Sequence, residues 1–343
     1  MKKNGGFTLA EYLIFTVLLL AVMLLCICAG SVSIPLGETF KTIINAIKNT
    51  SEGGSYESIL LPVRIPRVFC VALAGASLSL SGASMQGLLK NPLADGSTLG
   101  VSSGASLGAV ISIAFGITIP GLPFSGTMIM AIIFAFLSLV LILAFAYRLD
   151  SSLSTNTIIL MGVVFSMFAS SLFSLVITFA GEKVKSITFW TLGSLRGSSY
   201  RNALVLLIAL VIFGGILLSK ATELNAFAVG EDNARSIGVN VFRTRLIVLI
   251  SISVLIGVCV SIGGTIGFVG LVTPHILRRI MGPDHRKLLP ASVFAGAIFL
   301  LLSDLVSRVI LRPRELPIGV ITSLIGTVVF IWIFFSSRKK ASS

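Results

Sequence analysis

Chemistry in a protein starts from its titratable side chains, and this chain has few. Its 343 residues include 13 acidic residues and two histidines, His275 and His285. No GxxxxGK[ST] stretch is present to cradle the phosphates of a nucleotide, and no HExxH pair to hold zinc. His275 follows Pro274, and His285 sits in Gly282-Pro283-Asp284-His285-Arg286-Lys287. Both read as structural or solvated side chains, so no catalytic and no metal site is expected. Asp304 is the one carboxylate well inside an apolar run, and Arg308 follows it by one helical turn. That spacing allows an i,i+4 ion pair. A structural pair is expected here, because a proton relay through a membrane needs further buried carboxylates.

Four polar stretches stand above this background. Arg64-Ile65-Pro66-Arg67 opens an apolar run. Proline suits the first turn of a helix, but two cations there oppose the helix dipole. They imply either an anionic partner outside or lipid headgroups. Asn91-Pro92-Leu93-Ala94-Asp95 breaks one run from the next. The segment from Ala221 to Arg245 is the longest polar connection, with Val229-Gly230-Glu231-Asp232-Asn233-Ala234-Arg235-Ser236-Ile237-Gly238 at its centre. It reads as short helical pieces with a glycine at each bend. Last come Gly267-Phe268-Val269-Gly270-Leu271-Val272-Thr273-Pro274-His275, then Asp284-His285-Arg286, then Glu315-Leu316-Pro317-Ile318-Gly319.

The elements that carry these stretches follow from composition. The chain is 55% hydrophobic and 11% charged, with a mean hydropathy of +1.03, whereas soluble domains carry roughly 25% charged residues. Too few polar side chains remain to cover one soluble core, which excludes a soluble enzyme, a disordered chain and a disulfide-stapled domain. The expected fold is an all-α polytopic membrane protein, one transmembrane domain over 1–343. Ten apolar runs are marked at about 12–32, 66–86, 98–119, 126–147, 157–180, 203–219, 244–262, 265–281, 289–310 and 317–335. A span needs about 20 residues. The first run, after Met1-Lys2-Lys3, reads as a retained helix. Tyr12, Tyr147, Tyr200 and Trp332 fall near run ends, where interfacial rings are favoured, and Trp190 falls in a connection.

The net charge of +13 is read as helix ends anchored to anionic lipid, with no nucleic-acid partner. With both termini in the cytosol, inner connections hold 15 basic residues and outer ones 11. Cys26, Cys28, Cys70 and Cys259 lie in apolar runs and read as small buried hydrophobes. Gly100, Gly104 and Gly108 line one face of the third run, and the second run is nearly all small or hydroxylic between Ala74 and Ser84. Such helices are expected to be enclosed by others. Gly87 to Pro92 faintly matches Gly270 to Pro274, five helices apart, which implies two weakly similar inverted halves.

Taken in order, RIPR, the NPLAD turn, GFVGLVTPHILR, DHR and ELPIG resemble the permease subunits of bacterial iron-siderophore and cobalamin ABC importers, the FecCD family. The match spans about 60–335. It implies a permease with ten transmembrane helices, working with a second permease copy or a related permease chain. It also implies two ATPase subunits on the cytosolic face and an extracytoplasmic substrate-binding protein. ATP and Mg would be bound by the partner ATPase, with no cofactor in this chain and no enzymatic reaction of its own.

Carried over residue by residue, the resemblance assigns receptor docking to Arg64, Arg67 and Arg308, with Arg312 and Arg314 as neighbours. It assigns ATPase coupling to Gly230, Glu231, Ala234 and Gly238, and a cytosolic gate to Thr155 and Asn156. Small hydroxyl residues are usual at both gate positions, and Asn156 departs from that. The cargo expected is a ferric siderophore, with cobalamin or haem as alternatives on the same scaffold, in the bacterial cytoplasmic membrane. An ion-coupled secondary transporter and an intramembrane enzyme are the readings from other classes.

Overall fold

A computed structural model describes residues 6–48, 50, 54, 56–96, 99–118 and 125–341, with side chains left out at 47, 125 and 332–341. Lys2 and Lys3, and the side chains of Trp332, Arg338, Lys339 and Lys340, therefore lie outside the described residues. The described chain is helical throughout. Its helices are α1 (Leu9–Cys28), α2 (Leu36–Ile47), α3 (Glu57–Leu88), α4 (Val101–Phe115), α5 (Ser125–Leu149), α6 (Thr155–Phe179), α7 (Val184–Thr191), α8 (Tyr200–Ser219), α9 (Ala221–Val229), α10 (Glu231–Ser236), α11 (Val241–Gly263), α12 (Val269–Met281), α13 (His285–Val309) and α14 (Ile318–Ala341). Each of the ten apolar runs falls on one of them. Seven of these helices, α1, α3, α5, α6, α8, α11 and α13, are long and apolar enough to cross a membrane; α4, α12 and α14 are shorter as described.

The centre of the bundle is α3. Its small residues let neighbours approach backbone to backbone, which is how helices gain dispersion contact where lipid offers no hydrophobic drive. A Cβ at Gly75 would strike the carbonyl of Gly296 on α13, and one at Gly82 the carbonyl of Gly270 on α12. The glycine face of α4 does the same. Gly104 and Gly108 lie against Ser138, Phe134 and Met130 of α5, and Gly100 lies against Gly162 of α6. Leu80, Met85 and Leu88 of α3 join Val248, Leu249 and Ile252 of α11 and Leu300 of α13 in one core. Cys26, Cys70 and Cys259 are buried and Cys28 is half-buried, all as free thiols. By contrast α1 and α6 leave most of their apolar surface outside the chain.

Two features have no counterpart in the hydropathy pattern. Between α1 and α3, α2 is amphipathic and presents Leu36, Phe40 and Ile44 outward, the habit of a helix lying in a membrane interface. And α7 leads into a turn that packs within the bundle. The carbonyls of Trp190 and Thr265 close on Gly264 and Gly193, both at positive φ, where a side chain would be strained. Trp190 is thus a half-buried packing residue of that turn.

Candidate functional site

The arginines of RIPR meet Arg308 at one end of the bundle, but they are not exposed. Arg64, Arg67 and Arg308 are 5%, 6% and 3% accessible. A π-turn at Leu60–Arg64 opens α3. From there the Arg64 guanidinium donates to the carbonyls of Ile27, Cys28 and Val32 at 2.9, 3.2 and 2.7 Å. Arg308 donates to Cys26 and Ala29 at 3.2 and 3.1 Å. Cys26, Ile27 and Cys28 are the last residues of α1, whose carbonyls have no partner within the helix and carry its negative dipole end, and Ala29 and Val32 lie just beyond it.

Arg67 places Nε and Nη2 at 3.0 and 2.8 Å from one Asp304 oxygen, and Nη1 at 2.9 Å from Glu315. Arg308 Nε lies 2.9 Å from the other Asp304 oxygen, the expected i,i+4 pair. Two cations at the start of α3 looked unfavourable in sequence because their acceptors lie elsewhere. Asp304 is 237 residues from Arg67, and α1 ends beside Arg64. The exposed charge on this rim belongs instead to Arg196, Arg201, Arg312 and Arg314, with Arg196 standing 4.0 Å from Glu315.

The opposite end of the bundle carries the polar segment. Gly230 (φ +143°) separates α9 from α10, and Gly238 (φ +88°) ends the turn after α10, so both predicted bends are present. Ala234 is buried under α10, while Val229 and Ile237 are exposed apolar side chains flanking it. The DHR stretch fixes α9. Asp284 caps α13 by accepting from the Arg286 amide at 2.9 Å, and it takes Asn225 Nδ2 at 2.7 Å. Asn225 Oδ1 in turn lies 2.8 Å from His285 Nδ1. The Arg286 side chain, with these bonds, pulls the Asp284 carboxyl down to about 2. His285, read from sequence as structural or solvated, is buried.

Thr155 and Asn156, the expected gate pair, open α6. Thr155 is half-buried, its hydroxyl without a partner among the described residues, and Asn156 is exposed. The turn before it is stiff. Asp150 accepts from the Ser152 hydroxyl at 2.6 Å and from the Ser152 and Ser154 amides at 2.9 and 3.0 Å, which holds its carboxyl below the usual range. Sequence reasoning missed Arg245, counted only as a basic residue of an inner connection. It joins this turn to Glu231.

The remaining motifs are joints. Asn91 Oδ1 accepts from the Leu93 amide at 2.9 Å to form the NPLAD turn. Phe268 (φ +67°) breaks the chain before α12, Thr273 meets Ser79 at 2.7 Å, and Arg278 holds Gln86 at 2.6 Å. ELPIG runs from Glu315 to Gly319, and the Ile318 amide donates to Gly193 at 3.1 Å. Asp95, Ser102, Ser103, Ser106, Thr191 and Thr265 line a cavity of about 390 Å³ where the breaks meet.

Comparison with known proteins agrees with this arrangement. The model of the FecCD transport family matches residues 18–336. An uncharacterized ABC transporter permease protein of Bacillus subtilis, YvrB, is 42% identical over 97% of this chain and 96% of its own. The vitamin B12 import permease BtuC of Klebsiella pneumoniae is 36% identical over 95% and 93%. The cobalamin import permease BtuC of Halobacterium salinarum is 37% identical over 81% and 74%. A solved structure described as a metal-chelate type ABC transporter, in an inward-facing conformation, superposes with a TM-score of 0.83 at 30% identity, covering 94% of this chain and 98% of that one. A polytopic bundle with these joints, matched over nearly its whole length, belongs to the FecCD transport family as the permease subunit of an ABC importer.

Proposed function

We propose that this permease carries a metal chelate of the corrinoid type, delivered by a binding protein at the Arg64 end and released at the α10 end by a partner ATPase. The observation that carries the direction of the cycle is α10. It is a short helix set between two glycine bends and packed through Ala234, with Val229 and Ile237 exposed on either side. Exposed apolar side chains rimmed by Glu231, Asp232 and Arg235 suit a protein partner. ATP and Mg then belong to that partner, and the α10 end faces the cytosol of a bacterial cell.

The cavity of about 390 Å³ lies at the low end of sites for drug-sized ligands and is too small for a corrinoid. The passage for such cargo is better supplied between two copies, or between this chain and a related one, along the uncovered face of α6. The relatives named as B12 and cobalamin permeases favour a corrinoid over the ferric siderophore expected from the motifs alone. The metal-chelate description of the structural neighbour is compatible with both. Docking of the binding protein is assigned to the exposed Arg196, Arg201, Arg312 and Arg314. The buried Arg64, Arg67 and Arg308 hold that rim in shape. The test is uptake of labelled cobalamin and of labelled ferric siderophores by a strain deleted for this permease and complemented with it. Complementation of ferric uptake alone overturns the corrinoid reading.

A further inference from the structure

Arg245 is the largest side chain fully enclosed among the described residues, at 0% accessibility. A guanidinium so buried must be paired, because an uncompensated charge in a low-dielectric interior is heavily penalised. Its three contacts go to two segments far apart in sequence. Nη1 donates to the carbonyls of Ser152 and Leu153, 93 and 92 residues away, and Nη2 donates to the Glu231 carboxylate at the start of α10. Nε has no partner among the described residues. Replacing a buried pair by apolar residues of similar size is often neutral or stabilising, so stability alone gives no reason for this arrangement. Connection does: a planar fork reaches two carbonyls from one nitrogen and a carboxylate from another in a fixed geometry, which the single nitrogen of a lysine does not offer.

The segment that Arg245 grips is poised. Leu153 is buried and sits at φ +51°, a backbone region that non-glycine residues rarely adopt and keep only when their surroundings enforce it. Arg245 holds it through the Leu153 carbonyl, and the Asp150 carboxylate holds the amides on either side, at Ser152 and Ser154. Thr155 and Asn156 follow directly. The other end of the strut is less enclosed. Glu231 is half-exposed, and Gly230 frees α10 from α9 while Asn225 ties α9 itself to α13.

We infer that Arg245 is a positioning residue that transmits displacement of α10 to the turn at 150–154 and so to the gate at Thr155 and Asn156. This rests on the reading of α10 as the ATPase-facing element and on the gate that the resemblance assigns, and it adds the route from one to the other.

The test uses the complete importer, permease with its ATPase and binding protein, in lipid vesicles. A nitroxide at Asn156→Cys reports the gate with and without ATP and vanadate. The expected result is that Arg245→Gln and Glu231→Gln still co-purify the ATPase. Their label loses its response to nucleotide, and uptake per ATP hydrolysed falls about tenfold, within the usual range of allosteric coupling. Arg245→Lys, which keeps the charge but not the fork, recovers only part of it. A merely structural role would lower yield and leave the response intact in the protein that folds. If Arg245→Gln does not fold, Glu231→Gln decides. A folded, ATPase-bound variant whose label follows nucleotide as in the unmodified gate overturns the strut. Ile237→Asp separates the underlying reading: full retention of the ATPase by that variant shows that α10 is not its docking element and removes the proposal with it.

Discussion

Replacing Asp304 by asparagine exchanges one oxygen for an amide nitrogen and should nevertheless destabilise the bundle strongly. The side chain is 1% accessible and faces two guanidinium groups, Arg67 at 2.8 Å and Arg308 at 2.9 Å. At an effective dielectric near 20, a charge pair about 4 Å apart is worth roughly 4 kcal/mol. Two such pairs are lost, and the desolvation of one carboxylate, several kcal/mol, is recovered. Arg67 keeps Glu315, and Arg308 keeps the α1 carbonyls. The expected net loss is about 3–5 kcal/mol, the range found when one member of a buried pair is removed. Three buried cations would then face one remaining carboxylate. Denaturant titration in detergent, followed by the fraction of monodisperse protein, measures it. Adding Arg308→Met to Asp304→Asn should cost less than the sum of the two, because the second change removes a charge that the first left unpaired. Unchanged stability in Asp304→Asn, or strict additivity in the pair, would show that the cluster is not held by charge and that the reasoning is wrong.

At Gly75, alanine must push α3 and α13 apart, since its Cβ meets the Gly296 carbonyl; a loss of about 1–3 kcal/mol by the same titration is expected, and wild-type stability would refute the close packing. Charge reversal at Arg312 and Arg314 should weaken association of the binding protein, more at low salt than at high, because exposed charges are screened; co-sedimentation with salt-independent, undiminished binding would return docking to the buried arginines. The Asp284 carboxyl sits below its unfolded value of 3.8, at about 2. Its contribution to stability is therefore complete above pH 4 and is lost as pH falls through 2. Asp284→Asn should flatten the acid limb of the unfolding curve, and an unaltered limb contradicts this.

Sequence revealed the spans well because a span is a local property. The run at 157–180 became Thr155–Phe179, and the run at 289–310 became His285–Val309. The glycine faces were legible for the same reason, since Gly104 and Gly108 announce a close neighbour without naming it. The partners of the arginines were not legible. Nothing around Arg67 points to Asp304 or Glu315, and the ring of acceptors exists only once α1, α3 and α13 have met. Two short helices also escaped. In α2 the apolar residues recur every fourth position among Lys, Thr and Asn, which lowers mean hydropathy below that of a span. In α7 eight residues are too few for any period to show.

A bundle with so little charge uses it at the joints, and the two ends use it differently. At the Arg64 end, three guanidinium groups are tied to Asp304 of α13, to Glu315 in the connection after it, and to carbonyls at and just past the end of α1. Such a joint resists motion, because displacing any helix breaks several charge-assisted bonds at once. At the α10 end, a single guanidinium bridges a six-residue helix and a turn, with a half-exposed carboxylate as its only ionic partner. Arg245 itself stands on the first turns of α11, and Ala234 is the buried contact of α10. Glycine packing makes α3 and α13 one rigid body between the two ends. On the inference drawn above, a push delivered at α10 passes through Arg245 into the turn before α6. On the proposed function, the better-tied rim is the one that receives cargo and the other is the one that is powered, which is the asymmetry that a permease loaded on one side and driven from the other requires.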